Sequence, residues 1–170
     1  PVGIPREAGS APSTYLAPPY GRRSEVSNLD PTPLYPFGHG RSYAEATWGE
    51  VTGSGPEWSV DGETEVGVRI RNETDQDVAD VVQLYLHDVV AQVPRPVVKL
   101  VGYQRVSLAP GEEAEVSFRV HADLTSYVDR TGRRIVEPGD VELRVARSSE
   151  DVHDVVALRL VGRQRPAGAD

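Results

Sequence analysis

A chain of 170 residues has room for one domain and an additional segment, whereas two full domains would be cramped. The formal net charge of -8 excludes binding to nucleic acid or to an anionic membrane as the main role, because both need an excess of Lys and Arg. Without any cysteine, the fold cannot depend on disulfides or on a thiolate zinc site.

No apolar run is long enough to span a bilayer, and no charged-then-apolar signal peptide precedes the first residues, so we expect a soluble chain. This leaves the choice between cytoplasm and secretion open. The chain contains no Met and opens on Pro1, which indicates a piece of a longer polypeptide.

Residues 1–43 are rich in Pro, Gly and Ser, and the prolines interrupt any helix or central strand. A solvated linker usually carries few large apolar side chains. This segment carries Tyr15, Leu16, Tyr20, Leu29, Leu34, Tyr35 and Phe37. We therefore expect an extended segment that packs against another surface.

After Tyr43 the pattern changes to period-two alternation between turn signals, which predicts strands. The predicted strands are 44–51, with Trp48 as its core anchor, then 63–72, 78–87, 99–108, 114–120, 141–145 and 155–161. Residues 123–127 suit a short helical turn, 129–132 a hairpin tip and 137–140 a second turn. A proline-containing loop is expected at 91–96, and residues 163–170 are expected to be a disordered tail.

Short strands at these intervals, without crossover helices, predict an all-β fold: an immunoglobulin-like antiparallel β-sandwich over residues 44–162. A closed barrel is the second choice, since periodicity alone does not separate the two.

Hydrolysis of sugars usually needs two carboxylates roughly 5 to 10 Å apart. The acidic candidates all lie in or beside predicted turns, where Asp and Glu are expected for structural reasons. They are Glu112, Glu113, Glu137, Asp140, Glu150, Asp151 and Asp154. We therefore assign no catalytic residue among them.

The remaining polar motifs are equally weak. No two histidines share a metal-ligand spacing, so we expect no metal site from His39, His87, His121 or His153. Ser10 and Ser148-Ser149 lack a nucleophile elbow, and Gly53-Ser54-Gly55 lacks the context of a phosphate loop. Asn72-Glu73-Thr74 fits a glycosylation acceptor, a match that often arises by chance.

Aromatic side chains on a β-sandwich can stack on sugar rings, so a carbohydrate-binding module is the alternative function. The candidates are Trp48, Trp58, Tyr85, Tyr103 and Tyr127. Their scatter favours core packing, and Trp58 is the least committed because Gly55-Pro56-Glu57 places it at a loop edge.

One run of residues is far more specific. Residues 31–43 read PTPLYPFGHGRSY, and this run resembles the segment that leads into the C-terminal fibronectin type III-like domain of family 3 glycoside hydrolases. The resemblance continues, in family order, through VVQLYLHD at 81–88, RPVVKLVGY at 95–103, LAPGE at 108–112 and VEPG at 136–139. Residues 1–6 and 12–16 are similar to the end of the family's α/β sandwich domain and to the strap after it.

The resemblance is closest to bacterial β-xylosidases and β-glucosidases, which are retaining, exo-acting enzymes. It implies a strap at 1–43, a fibronectin type III-like sandwich at 44–162 and a tail at 163–170. In the family, the aspartate nucleophile and the glutamate acid/base lie in preceding domains, so no catalytic residue is carried over and substrate-binding residues stay unknown. The implied partners are the catalytic domains of the same polypeptide, with a second subunit as a further candidate, and no cofactor or metal.

Overall fold

The computed structural model of the chain describes residues 3–6, 32–89 and 97–168. The strands are β1 (Thr47–Gly53), β2 (Glu57–Ser59), β3 (Glu63–Arg71), β4 (Val78–Asp88), β5 (Lys99–Leu108), β6 (Glu113–His121), β7 (Tyr127–Val128), β8 (Arg134–Val136), β9 (Gly139–Ala146), β10 (Val152–Val161) and β11 (Arg165–Pro166). A short 3₁₀ helix, Ala122–Thr125, joins β6 to β7. The seven strands predicted from alternation all exist, with ends shifted by a few residues.

The strands form two facing sheets and one small sheet. β1, β3 and β6 make a three-stranded sheet, and β2, β10, β9, β4 and β5 make a five-stranded sheet in that order. β11, β8 and β7 form the small sheet. Neighbouring strands are antiparallel except for β2 and β10, which run parallel. The predicted all-β sandwich is therefore confirmed.

The core lies between the two larger sheets. On β3, Val66, Val68 and Ile70 occupy alternate positions, with Gly67 and Arg69 between them, and are at most 1% exposed. From the opposite sheet, Val82 and Leu84 of β4 are fully buried. Burial of each such side chain contributes roughly 1.5–3 kcal/mol to folding, so this alternation is the main source of the fold's stability.

The sequence predicted that Trp58 lies at a loop edge, and the structure shows that this prediction is wrong. Trp58 belongs to β2, is 1% exposed, and its indole N–H donates to the Gly62 carbonyl at 3.1 Å. Gly55, with φ of 128°, redirects the chain so that β2 can pair with β10 at the sheet edge. A strand of three residues is too short to show a period in sequence, which is why the prediction was wrong.

Residues 163–170 were predicted to be a disordered tail, yet the structure describes them to Gly168 and pairs β11 with β8. Arg165 anchors this end, because its guanidinium lies 2.7 Å from Asp61 Oδ1 and 2.7 Å from Asp123 Oδ1. These carboxylates are distant in sequence, so local pattern gave no sign of the pairing. We call Arg165, Asp61 and Asp123 the terminal latch.

Within the described ranges 3–6, 32–89 and 97–168, no helix has both the length and the apolar character that crossing a membrane requires.

The Asp123 carboxylate is stabilised in its charged form. Partial burial alone would raise its pKa, but hydrogen bonds from Arg165 and from the Gly168 N–H, with the positive charge of Arg165, hold the pKa of Asp123 below its usual range. The unfolded state therefore binds a proton at a higher pH than the folded state does.

From this we predict how the latch depends on pH. Its contribution to stability is complete above the usual Asp pKa of about 3.9 and is lost as the pH falls through the lower folded value. Asp123→Asn should lower the melting temperature at neutral pH, and the gap from wild type should narrow below about pH 4. Circular dichroism melts across this range measure the gap. Asp75→Asn, at an exposed turn, is the control, and a gap independent of pH would contradict the assignment.

Candidate docking site on the outer sheet face

Residues 36–40 form a tight turn, here called the glycine turn, which lies on the face of the five-stranded sheet that points away from the core. The Phe37 carbonyl accepts the Ser149 N–H at 2.9 Å, and the His39 N–H closes the turn by donating to the Pro36 carbonyl at 3.1 Å. These contacts are made by backbone atoms, so the position of the turn depends on its conformation more than on its side chains.

Gln83 of β4 is the side chain that holds the turn. It is 6% exposed, and its amide Nε2 donates to the Gly38 carbonyl at 2.9 Å and to the Arg147 carbonyl at 2.5 Å. Its Oε1 accepts the Tyr85 hydroxyl at 2.6 Å. One buried amide thus connects the glycine turn to β4 and to the residue after β9.

The Phe37 side chain adds an apolar contact beside this amide. Its ring meets Tyr85 edge-on, with 6.4 Å between centroids. Tyr85, Val98 and Ala146 are buried in the same small cluster. Aromatic contacts of this geometry are worth about 0.5–1.5 kcal/mol beyond the area they bury. The outer face of β4 is therefore covered here.

Only glycine suits position 38. Its φ is 81°, in the left-handed region, and a Cβ built there would lie 2.1 Å from Gln83 Oε1 and 2.7 Å from the Tyr85 hydroxyl oxygen. Any side chain would face both backbone strain and displacement of the Gln83 amide.

Large apolar side chains face solvent in the described part of residues 1–43, which we call the leading segment. Residue 4 forms an antiparallel bridge with residue 35, in which the Ile4 N–H donates to the Tyr35 carbonyl at 2.7 Å. Ile4, Leu34 and Tyr35 are nevertheless 58%, 46% and 45% exposed. We call these three side chains the exposed strip. The Tyr35 ring also stacks on His39 at 5.0 Å, which connects the strip to the glycine turn.

The acidic candidates act in turns and ion pairs. Glu112 accepts the Ala109 N–H at 2.7 Å, Glu113 pairs with Arg69 at 3.2 Å, and Asp140 pairs with Arg159 at 3.0 Å. Among the others, the Asp151 N–H and the Glu150 N–H donate to Ser148 Oγ, and Asp154 accepts the Val155 N–H. Glu137 lines a small pocket at the end of the sandwich with Asp88.

The histidines are spread over the molecule and bond mainly to backbone. His87 Nδ1 contacts the Val97 carbonyl, His121 Nδ1 accepts the Asp123 N–H at 3.1 Å, and His153 Nε2 lies 2.8 Å from the Gly49 carbonyl. His39 alone of the four lies in the docking site. In the part of the chain that the structure describes, no three His, Asp or Glu side chains are grouped as metal ligands.

Four of the five candidate aromatics are buried, as the sequence predicted for the group. Trp48 is 7% exposed, donates its indole N–H to Asp80 at 2.8 Å, and carries the Arg147 guanidinium over its ring at 4.4 Å. Tyr85, Trp58 and Tyr127 are also buried. Tyr103 departs from the prediction at 71% exposed, because it lies on the edge strand β5 with its side chain on the outer face.

The glycosylation motif and the serine motifs are structural. Asn72 has no exposed surface, and its side-chain amide donates to the Leu108 carbonyl at 3.0 Å and to the Gln76 carbonyl at 2.7 Å. A folded chain therefore does not offer this nitrogen to a glycosyl donor. Ser54 bonds to the backbone of Glu65. Ser10, the 12–16 run and the loop at 91–96 lie outside the described residues.

Gln83 is the residue of the docking site that sequence reasoning missed. A glutamine within the apolar run VVQLYL of β4 was the available signal, because a polar side chain at a covered strand position needs hydrogen-bond partners.

The chain is similar in sequence to a known domain family and to two bacterial enzymes. The family described as Fibronectin type III-like domain matches residues 80–149, which include Gln83, Tyr85 and Ser149. A putative beta-xylosidase of Formosa agariphila is 32% identical over 151 residues, which are 89% of this chain and 20% of that protein. A periplasmic beta-glucosidase of Salmonella typhimurium is 32% identical over 162 residues, covering 89% of this chain and 21% of the relative.

Solved structures give the same picture. A β-glucosidase from Erythrobacter marinus superposes with a TM-score of 0.83 at 35% identity, covering 94% of this chain and 21% of that one. A β-glucosidase from Listeria innocua in complex with glucose superposes with a TM-score of 0.74 at 33% identity, covering 86% of this chain and 21% of the other. The chain thus spans about a fifth of the length of these proteins.

The docking geometry predicts a contrast between two neighbouring glycines. Gly38→Ala should lower the free energy of unfolding by roughly 1–3 kcal/mol, because the left-handed conformation becomes strained and the Gln83 hydrogen bonds are disturbed. Gly40→Ala should cost far less, since a Cβ there meets no atom within 4 Å. Denaturant unfolding measures both.

A local measurement separates loss of docking from general destabilisation. The Ser149 N–H donates to the Phe37 carbonyl, so its hydrogen exchange should accelerate in Gly38→Ala and stay unchanged in Gly40→Ala. Equal costs for the two variants would contradict the assigned role of Gly38.

Proposed function

Because this chain is a fibronectin type III-like domain of the family 3 glycoside hydrolases, we propose that it is a non-catalytic accessory domain that braces the catalytic domains of one polypeptide. Three of the acidic side chains that could have served hydrolysis, Glu112, Glu113 and Asp140, are engaged in a turn or in ion pairs on separate loops and strands. The chemistry of the parent enzyme then belongs to other domains, and this chain contributes rigidity and a docking surface.

The observation that carries the proposal is the exposed strip. Ile4, Leu34 and Tyr35 are about half exposed although their backbone is fixed by the bridge between residues 4 and 35. Large apolar side chains held in an ordered, solvent-facing arrangement typically mark a surface that is buried in an assembly. We assign that surface to contact with the catalytic body of the same polypeptide.

The glycine turn explains how such a contact would brace the parent. The Tyr35–His39 stack and the Gln83 hydrogen bonds form a short path from the exposed strip to β4, an interior strand of the five-stranded sheet. A catalytic domain that packs on the strip is thereby attached to the sandwich core. Interfaces between domains of one chain are usually mixed in polarity, as the strip and its polar surroundings are.

For the parent we propose an exo-acting β-glucosidase or β-xylosidase that hydrolyses O-glycosyl bonds with retention of configuration. The relatives named above include both types. In that reaction a carboxylate attacks the sugar and a second carboxyl group acts first as acid and then as base. Both would be supplied by the catalytic domains, so the choice of sugar does not depend on the residues described here.

Two triple variants test the brace. Ile4→Ser, Leu34→Ser and Tyr35→Ser together should lower the melting temperature of the parent enzyme, because the apolar area that the strip buries against the catalytic body is lost. The same triple should change the melting of this chain alone less, because about half of each side chain is already exposed to solvent there.

The matched control replaces three apolar side chains of similar exposure outside the strip, namely Tyr103, Val128 and Val155, by Ser. It should leave the parent's melting close to wild type. Turnover measured well below the melting temperature should be unchanged in both triples. Loss of turnover with unchanged melting in the strip variant would show a role in the chemistry and contradict the brace.

A carbohydrate-binding role is favoured by one observation, the 71% exposure of Tyr103 on the outer sheet face. A single exposed ring offers about 1 kcal/mol of stacking, which is too little for measurable binding on its own. We therefore expect isothermal titration of the chain with xylan and cello-oligosaccharides to give no heat of binding. Heat that is lost in Tyr103→Ala would instead establish the binding module.

A further inference from the structure

We propose that the site on the outer sheet face can accept the glycine turn of a second copy of this chain, so that two copies exchange their glycine turns. The site is defined by Gln83, Tyr85 and Ser149 as polar contacts and by the cluster of Tyr85, Val98 and Ala146 as the seat of Phe37. This goes beyond the bracing role and does not depend on it.

The contacts at the site are local to the turn. Gln83 Nε2 reaches the Gly38 carbonyl, the Ser149 N–H reaches the Phe37 carbonyl, and the Phe37 ring fills the apolar seat. Residues 37 and 38 make all of these contacts. An identical turn from another molecule satisfies the same donors and the same seat, because none of the contacts involves the connection to β1.

The connection between the turn and β1 is exposed. Arg41, Ser42, Tyr43 and Glu45 all face solvent, and Tyr43 is fully exposed. The Ser42 hydroxyl donates to the Ala79 carbonyl, and nearer to β1 the connection is anchored, because Ala44 packs on the core and Ala46 is buried. The exposed residues 41–43 therefore form the hinge, and an exposed hinge is a usual route by which an element is exchanged between identical chains.

Within one molecule, the short connection gives the turn an effective concentration on the order of millimolar at its own site, so internal docking prevails at ordinary protein concentrations. Exchange becomes visible when internal docking is blocked. A site without its turn exposes the apolar seat and leaves the Gln83 amide without the Gly38 carbonyl, and both losses favour capture of a turn from another copy.

Complementation between two full-length variants tests this. Gly38→Val keeps the site and disables the turn, because a β-branched residue is strained at a φ of 81° and its Cβ meets Gln83 and Tyr85. Gln83→Ala keeps the turn and disables the site. The two variants differ in mass, so native mass spectrometry distinguishes their mixed dimer from dimers of either variant alone.

We expect a mixed dimer when the variants are combined, and much less dimer from either variant alone or from wild type. Replacing Gly38→Val by Gly40→Val, where a Cβ has free space, should abolish the mixed dimer because internal docking is intact. Circular dichroism first establishes that each variant is folded. If Gly38→Val does not fold, the smaller Gly38→Ala takes its place as the variant with the disabled turn.

A labelled synthetic peptide of residues 32–43 provides a second measurement. It should bind the Gly38→Val chain, whose site is open, at least tenfold more tightly than wild type, whose site is filled. Adding Gln83→Ala to Gly38→Val should remove the binding. Folded Gly38→Val chain that takes up neither the peptide nor the turn of Gln83→Ala would overturn the proposal, while leaving the bracing role to its own test.

Discussion

The hydrogen bonds of the Gln83 amide are the interaction on which the docking surface depends. A buried amide has two donors and an acceptor, and here the donors reach Gly38 and Arg147 while the acceptor takes the Tyr85 hydroxyl. Leaving any of them unmade costs about 1–3 kcal/mol, so the amide fixes where the glycine turn lies. The position of Tyr35, and with it the exposed strip, follows from that placement.

Because the glycine turn lies on its outer face, the five-stranded sheet is covered on both faces where the turn packs. An antiparallel sheet commonly packs one face on the core and leaves the other to water. Here the inner face carries the main core, and the outer face buries Tyr85 and Ala146 beneath Phe37 and its neighbours. Trp48 of β1, in the three-stranded sheet, connects the two sheets. Its indole contacts Asp80 on β4, Arg147 after β9 and His153 on β10, all in the five-stranded sheet or directly after one of its strands. A sandwich tied together in this way suits a domain whose proposed task is mechanical.

The terminal latch and the leading segment use different physics for a similar purpose. Arg165 holds β11 through two carboxylates, an interaction that weakens when Asp123 is protonated. The glycine turn is held by neutral hydrogen bonds and an aromatic contact, which do not titrate near neutral pH. Among the contacts described here, the two ends of the chain are thus attached to the sandwich independently, and conditions that release one leave the other in place.

The sequence by itself determined the strands of the core, because alternating valines such as Val66 and Val68 specify both a period and a buried face. The motif resemblance also identified the family, which the comparisons confirm. Only the tertiary structure showed where Trp58, Tyr103 and Arg165 lie. Trp58 and Arg165 belong to strands of three and two residues, which are too short to show a period. Tyr103 is exposed because β5 is an edge strand, and the sequence of one strand does not reveal whether it lies at an edge. The tertiary structure also decided that Gln83 meets Gly38, because 45 residues separate them and a hydrogen bond between backbone and side chain leaves no pattern along the chain.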